Sequence, residues 1–329
     1  MKALGEHYDA ALFDLDGVIY LGPYAIDGVP DALAELRSRG VHLGYVTNNA
    51  ARTPATVAEH LVELGIDAAE ADVVNSTMAT LRMLGDDLPT GTRILAVGTD
   101  ALREQLTGAG FTLVDSLDAE PAAVVQGYHP DIAWPKLEEA ALAVQRGAAW
   151  YATNPDLTRP SDRGIVPGLG TQIAVVRACV SVDPQIAGKP FRPLLDETVL
   201  RIGAEHPIFV GDRTDTDILG ANNVGMDSLF VFTGAHGKHD LAAAAPEYRP
   251  TYIGYDAAAL LEPPREAEFH GQRYVCGYQE VDLAEGAAYL STRPDTRDEQ
   301  LDALWAALQA AWRFEIDISA VLNSLDTLR

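Results

Sequence analysis

Short apolar runs alternate with amphipathic stretches along most of the chain, the pattern of an α/β fold built on a parallel sheet. The segments "AALF" (Ala10–Phe13) and "VHLGYV" (Val41–Val46) are continuous apolar runs of strand length, as expected of strands buried on both faces. Between them, Pro30 to Arg39 spaces its apolar residues for a helix, with proline in the first turn. A second helix is expected from the N-cap Thr53, ahead of Pro54, to Leu64, with Gly65 as its stop. The same rhythm returns late in the chain: a helix over Pro193–Arg201, the strand "PIFVGD", the helix "DILGANNVG" and the strand "SLFVF". These stretches read as the two halves of one Rossmann-like, doubly wound parallel sheet.

The intervening segment, Gly91 to Val180, has its own strand candidates in "RILAVG", "AAVVQG" and "AWYATN", separated by helices such as Trp134–Arg146. An inserted α/β domain with a separate sheet is the economical arrangement. The expected division is a core over 1–84 and 181–263, a cap over 85–180, and a small α+β appendage over 265–329. The double proline of "LEPPRE" marks that last junction. Beyond it, "RYVCGY" and "AAYLST" suggest a hairpin, and "LDALWAALQAAW" (Leu301–Trp312) is apolar on more than one face, as in a helix packed against something. About 60 residues make a marginal independent fold, so docking on the core or on a second subunit is expected, which leaves a homo-oligomer open.

Composition narrows the function. With 47% hydrophobic residues the chain folds without staples, and its two cysteines, Cys179 and Cys276, are too few for a disulfide framework, so a reducing cytoplasm is the expected location. No apolar segment is long enough for a membrane span, and "MKALGEHYDA" lacks the apolar stretch of a secretion signal. Forty-eight acidic residues against twenty-four basic ones leave a net charge of −24, which disfavours nucleic acid as a partner because both would be polyanions.

In open parallel sheets ligands bind beyond the carboxyl ends of the strands. Four polar clusters fall at such places: Asp14 and Asp16 after the first strand, Thr47-Asn48-Asn49 after the second, Lys189 in "AGKP", and "GDRTDTD" (Gly211–Asp217) after "IFV". Together they hold a nucleophilic carboxylate, a hydroxyl and a lysine for phosphate oxygens, and further carboxylates for a hard cation. Asp14 and Asp212 can share a Mg²⁺. Their mutual repulsion then becomes metal affinity. Taken singly, each cluster has an ordinary duty: strand-end aspartates cap helices, "TNN" forms a polar turn, a lysine before proline is a solvated loop charge, and Gly17, Gly188 and Gly211 permit turns. For the polar residues their joint order argues against that, while the glycines keep the turn role. His7, His42, His60, His129 and His236 show no ligand spacing, and Cys179, in "IAVVRACV", is expected in the core.

Over about residues 8–263 the chain resembles the haloacid-dehalogenase-like phosphohydrolases, with "DLDGV", "TNN", "GKP" and "GDRTDTD" matching the four family motifs in order. The placement of the insertion, with "ATNPD" and "PGLG", resembles the branch with an α/β cap between the second and third motifs. That branch includes NagD-like nucleotidases and the nitrophenyl phosphate, phosphoglycolate, pyridoxal phosphate and glycerol phosphate phosphatases. The phrases "VVQG" and "GTDAL" and the C-terminal extension are most similar to actinobacterial glycerol 3-phosphate phosphatases.

The resemblance implies hydrolysis of a small phosphomonoester through an aspartyl phosphate on Asp14, with Asp16 as acid and base. Thr47 and Lys189 would then bind the phosphoryl group, Asn48 would offer its backbone N–H, and Mg²⁺ would be held by Asp14, the Asp16 carbonyl, Asp212 and Asp217. Because these motifs recognise only phosphate, selectivity is expected from the cap. Its polar loop offers Asn154, Asp156, Arg159 and Arg163, and Asn49 is a further candidate. Glycerol 3-phosphate is the favoured substrate; phosphoglycolate, pyridoxal phosphate and nucleoside monophosphates are alternatives. A phosphomutase would share all four motifs and differ only in product. A phosphate-receiving signalling domain would be shorter. In the actinobacterial relatives the C-terminal region resembles part of an acetyltransferase fold, but no Gly-rich pyrophosphate loop follows a strand here, so acetyl transfer is not expected.

Overall fold

All four residues of the strand Ala10–Phe13 are buried, which explains its unbroken apolar character. A computed structural model, describing residues 2–161 and 163–328, pairs this strand in parallel with Pro207–Gly211. Pro207–Gly211 pairs in turn with Asp227–Val231, and that strand with Tyr252–Gly254. These strands belong to one of two compact units, comprising the residues up to Leu43 together with Ala204 onward; Gly44–Gly203 form the other. The class is α/β, with helices flanking parallel sheets.

In the second unit Tyr45–Thr47, the end of the strand His42–Thr47, pair in parallel with Val73–Asn75. A separate sheet is parallel throughout, in the order Gln185–Ile186, Ala149–Ala152, Ala123–Gln126, Arg93–Val97, Thr112–Val114. Its core gathers Leu95, Val124, Trp150 and Ile173. The helix Pro54–Glu63 begins where its cap chemistry says it should: the Thr53 hydroxyl accepts the Thr56 amide at 3.2 Å, and Gly65 follows at φ +82°.

Three expectations need correction. The segments Arg273–Cys276 and Ala287–Leu290 are not a hairpin, because Gln279–Ala284 lies between them and pairs with both. With Ala267–Phe269 on the other edge they form a four-stranded antiparallel meander. Cys179 is exposed rather than in the core, since its helix, Leu169–Arg177, stops two residues earlier. The helix expected from "DILGANNVG" runs over Leu219–Val224 and is preceded by a wider π-type turn, Thr214–Ile218. That turn forms because Ile218 N–H reaches back to the Arg213 carbonyl at 3.1 Å, a local widening often found at functional sites.

The helix Arg297–Phe314 starts on a capping box, in which Thr296 accepts the Glu299 amide and Glu299 accepts the Thr296 amide. Its apolar residues lie on several faces for a packing reason. Leu304, Trp305 and Leu308 share one buried cluster with Tyr274 and Val281 of the meander and with Phe230, Phe232, Leu241 and Ile253. The C-terminal module therefore docks on the core. Arg265 pins its entry through ion pairs with Asp298 and Asp302, and the Arg297 guanidinium lies 3.6 Å above the Tyr255 ring.

Candidate active site

Asp14 stands one residue past the strand Ala10–Phe13, where its amide donates to the Val210 carbonyl at 2.9 Å and extends the pairing with the neighbouring strand. Asp212 follows that neighbour, Pro207–Gly211, in the same way. Parallel pairing thus delivers both carboxyl groups to one end of the sheet, and the π-type turn brings back Asp217. One carboxylate oxygen from each of Asp14, Asp212 and Asp217 lies within 4.8 Å of the others.

Asp212 and Asp217 are 2% and 1% exposed, so like charges stand together largely out of water. The backbone meets part of this cost. Asp217 Oδ2 accepts the amides of Asp212 (3.2 Å) and Arg213 (3.1 Å), and Asp212 Oδ2 accepts the Ala235 amide at 2.6 Å. The other acid of the turn, Asp215, is occupied elsewhere. Its carboxylate takes a bidentate bond from Arg213, at 3.0 and 2.9 Å; burial pushes its titration upward, but Arg213 outweighs this and holds it below the usual carboxylate range.

Glycines make room for these carboxylates. A side-chain carbon at Gly17, which has φ +90°, would lie 2.6 Å from Asp212 Oδ2; at Gly234 it would lie 1.9 Å from the same oxygen, and at Gly211 it would lie 2.2 Å from the Asp217 Cβ. An all-oxygen set of clustered carboxylates, two of them buried and closely cradled by backbone, fits a hard divalent cation such as Mg²⁺. Asp16 is exposed, two residues beyond Asp14 at the start of the turn where the Gly17 amide donates to the Tyr20 carbonyl at 2.9 Å.

In the second unit the remaining candidates form a hydrogen-bonded group. Thr47 ends its strand and is buried, with its hydroxyl accepting the Asn49 amide at 3.0 Å. Asn49 is exposed, and its side chain accepts the Ala51 amide at 2.8 Å. Asn48 acts as the joint. Its Nδ2 donates to the Asp156 carboxylate (3.1 Å) and the Lys189 carbonyl (3.0 Å), while its Oδ1 accepts the Lys189 amide at 2.8 Å. Asn154 Nδ2 donates to the Asn48 carbonyl at 2.7 Å, and Asn154 Oδ1 accepts the Asp156 amide at 3.2 Å. The second motif, the third motif and the polar loop of Asn154 and Asp156 are therefore tied at one point. Lys189 is 2% exposed, and Gly188 lets the chain pass against Asn48. Arg159 stacks 4.8 Å from the Tyr128 ring centroid, and Arg163 is exposed.

Of the segment Thr233–Gly237 the sequence offers only His236, which has no ligand spacing. The segment carries Ala235, whose amide holds Asp212, and His236, whose Nδ1 accepts the Thr214 amide at 3.1 Å. The available signal is "TGAHG" itself, two glycines around Ala235 and His236 just past the strand "SLFVF".

The chain matches the family model of haloacid dehalogenase-like hydrolases over residues 11–112 and a HAD-hydrolase-like model over 186–260. It is similar to the D-glycerol 3-phosphate phosphatase of Mycobacterium tuberculosis, 38% identical over 317 residues that span 95% of this chain and 88% of that protein. The acid sugar phosphatase of Staphylococcus haemolyticus is 36% identical over 266 residues, 80% of this chain and 99% of its own length. Among solved structures, the crystal structure of glycerol phosphate phosphatase from Mycobacterium tuberculosis in complex with magnesium superposes with a TM-score of 0.83 at 34% identity, covering 99% of both chains. With four ordered motifs, carboxylates gathered at the strand ends and relatives matched along nearly the whole length, the chain belongs to the haloacid dehalogenase-like hydrolases.

Proposed function

We propose that this phosphoric monoester hydrolase, with Mg²⁺ as its cofactor, acts on glycerol 3-phosphate through a covalent phosphate on Asp14. The clustering of Asp14, Asp212 and Asp217 carries the chemical reading. Similarity to a glycerol 3-phosphate phosphatase over 95% of the chain supports the substrate. The two cysteines are free thiols, which suits a reducing cytoplasm, and among the described residues no helix is long and apolar enough to cross a membrane.

In this reading the Asp14 carboxylate attacks phosphorus as the bond to the glycerol oxygen breaks, and Asp16 gives that oxygen its proton. Asp16 then takes a proton from the water that displaces phosphate from Asp14. The Thr47 hydroxyl, the Asn48 amide and the Lys189 ammonium hold phosphoryl oxygens, the lysine offsetting charge as it builds. Asp14, the Asp16 carbonyl, Asp212 and Asp217 would hold Mg²⁺, which when bound neutralises charge on the phosphoryl oxygens. Asn154 and Asp156 brace the Asn48 turn and are assigned, with Asn49, to the surroundings of the leaving group.

Asp16→Asn should keep the geometry while removing proton transfer, with a loss in kcat of ~10²–10⁴-fold. Slow turnover that accumulates phosphorylated enzyme would fit a failed second step, whereas unchanged kcat would remove Asp16 from the reaction. The substrate is tested by kcat/KM for glycerol 3-phosphate, phosphoglycolate, pyridoxal phosphate and nucleoside monophosphates under one set of conditions, in the wild type and Asp156→Ala. Glycerol 3-phosphate should lead. A lead for phosphoglycolate would point to Arg159 or Arg163 as the carboxylate partner, and a lead for a nucleotide would refute the assignment.

A further inference from the structure

The family match ends at residue 260, yet the module beyond it reaches a segment that touches the carboxylates. After the strand Asp227–Val231, the Thr233 hydroxyl donates to the Gly17 carbonyl at 2.6 Å, securing the turn that follows Asp16. Two residues on, the Ala235 amide donates to Asp212 Oδ2 at 2.6 Å, and the His236 amide reaches the Asp212 carbonyl at 3.3 Å. The His236 ring holds the same loop at Thr214. Because Nδ1 accepts the Thr214 amide (3.1 Å), it carries no proton, so the Thr214 hydroxyl, 2.9 Å away, is a second donor to it.

At the far end of this segment lies Lys238, the first residue of the helix Lys238–Ala242, only 9% exposed. Its ammonium donates to the backbone carbonyls of Leu325 and Leu328, the latter at 2.8 Å. Trp312 Nε1 donates to the Leu241 carbonyl at 3.3 Å, and Leu241 shares the buried cluster of Trp305, Leu308 and Leu325. A buried ammonium is costly without acceptors, so the C-terminal carbonyls fix where Lys238 sits. Only His236 and Gly237 separate that anchor from Ala235, whose amide orients Asp212, with Gly234 just before it.

We propose that the C-terminal module positions the metal carboxylate Asp212, acting through Lys238 and the Thr233–Gly237 segment. Lys238 is a positioning residue, not a catalytic one. The proposal rests on the reading of Asp212 as a metal ligand and goes beyond it by giving the appended module a task. With the anchor in place, the Ala235 amide selects one orientation of the Asp212 carboxylate before the cation arrives. Without it, that orientation must be selected at the moment of binding, and affinity falls.

The test is calorimetric titration of Mg²⁺ into the full-length protein without substrate, for the wild type, Lys238→Met and Asp212→Asn. Lys238→Met should bind Mg²⁺ roughly tenfold more weakly, about 1.4 kcal/mol, while KM for glycerol 3-phosphate at saturating Mg²⁺ stays within about twofold of the wild type. A lower Tm with an unchanged Mg²⁺ Kd would show that Lys238 only holds the module down, and would overturn the proposal. Undiminished binding in Asp212→Asn would instead remove the metal reading on which it rests. Should Lys238→Met fail to fold, the wild type supplies the answer, because coupling between sites is reciprocal. Mg²⁺ should then slow hydrogen exchange at the amides of Asn323, Ser324 and Leu325, which are hydrogen-bonded in the C-terminal segment. Unchanged exchange there, with Mg²⁺ bound, would overturn the proposal.

Discussion

Asp14→Asn is expected to lower kcat by on the order of 10⁴-fold or more, since removing a nucleophile costs a reaction its covalent route. The change is nearly isosteric. It leaves the bond from the residue 14 amide to the Val210 carbonyl in place, and it withdraws one negative charge from a cluster whose members lie within 4.8 Å. Stability in the absence of metal should therefore hold or rise while activity disappears. Steady-state rates measured beside thermal unfolding separate this outcome from damage to the fold. A variant that turns over at a rate comparable to the wild type would remove Asp14 from the chemistry.

Removing the metal should be as severe. Chelation with EDTA is expected to abolish phosphate release, and Mg²⁺ should restore it; Mn²⁺ and Co²⁺, which also accept oxygen ligands, should restore part of it. The same ion should raise Tm, because a ligand present at 100 times its Kd stabilises the folded state by about 2.7 kcal/mol. Asp212→Asn ought to erase both responses. Without added metal, its Tm should equal or exceed that of the wild type, as one of three neighbouring charges has gone. Full activity in thoroughly chelated protein would refute a metal role, and a strong Mg²⁺-induced rise in Tm for Asp212→Asn would place the ion elsewhere.

What could be read in advance depended on the range of the interactions involved. The strands Ala10–Phe13 and Pro207–Gly211 were legible because double-sided burial demands an unbroken apolar run, and the parallel sheet then sends whatever follows them to one end. Asp14, Asp212 and Asp217 were candidates for that reason, and the Thr53 cap was visible because its chemistry spans only three residues. The meander at Ala267–Leu290 is hidden because register depends on which strand lies between two others, and in "GYQEVDLA" only Glu280–Leu283 alternate polar with apolar. Cys179 reads as core because the apolar run "IAVVRACV" continues past the point where the helix stops at Arg177.

The binding partner of a side chain was the least legible property. Nothing local says that Asn48 will divide itself between Asp156 and Lys189, more than a hundred residues away, or that the Ala235 amide will take Asp212. Such backbone amides have no side-chain signature at all. Only the glycines that let the chain approach, Gly234 beside Asp212 and Gly188 beside Asn48, leave a trace in the sequence.

The most direct test of the chemistry is to trap the intermediate. Wild-type protein with Mg²⁺ is mixed with glycerol 3-phosphate carrying ³²P, quenched in acid within a single turnover, digested, and the labelled peptide identified by mass spectrometry. The label should lie on the peptide containing Asp14, should be released by hydroxylamine as expected of an acyl phosphate, and should be absent in Asp14→Asn. Rapid release of inorganic phosphate with no labelled enzyme at any quench time, or with the label on another residue, would contradict covalent catalysis by Asp14.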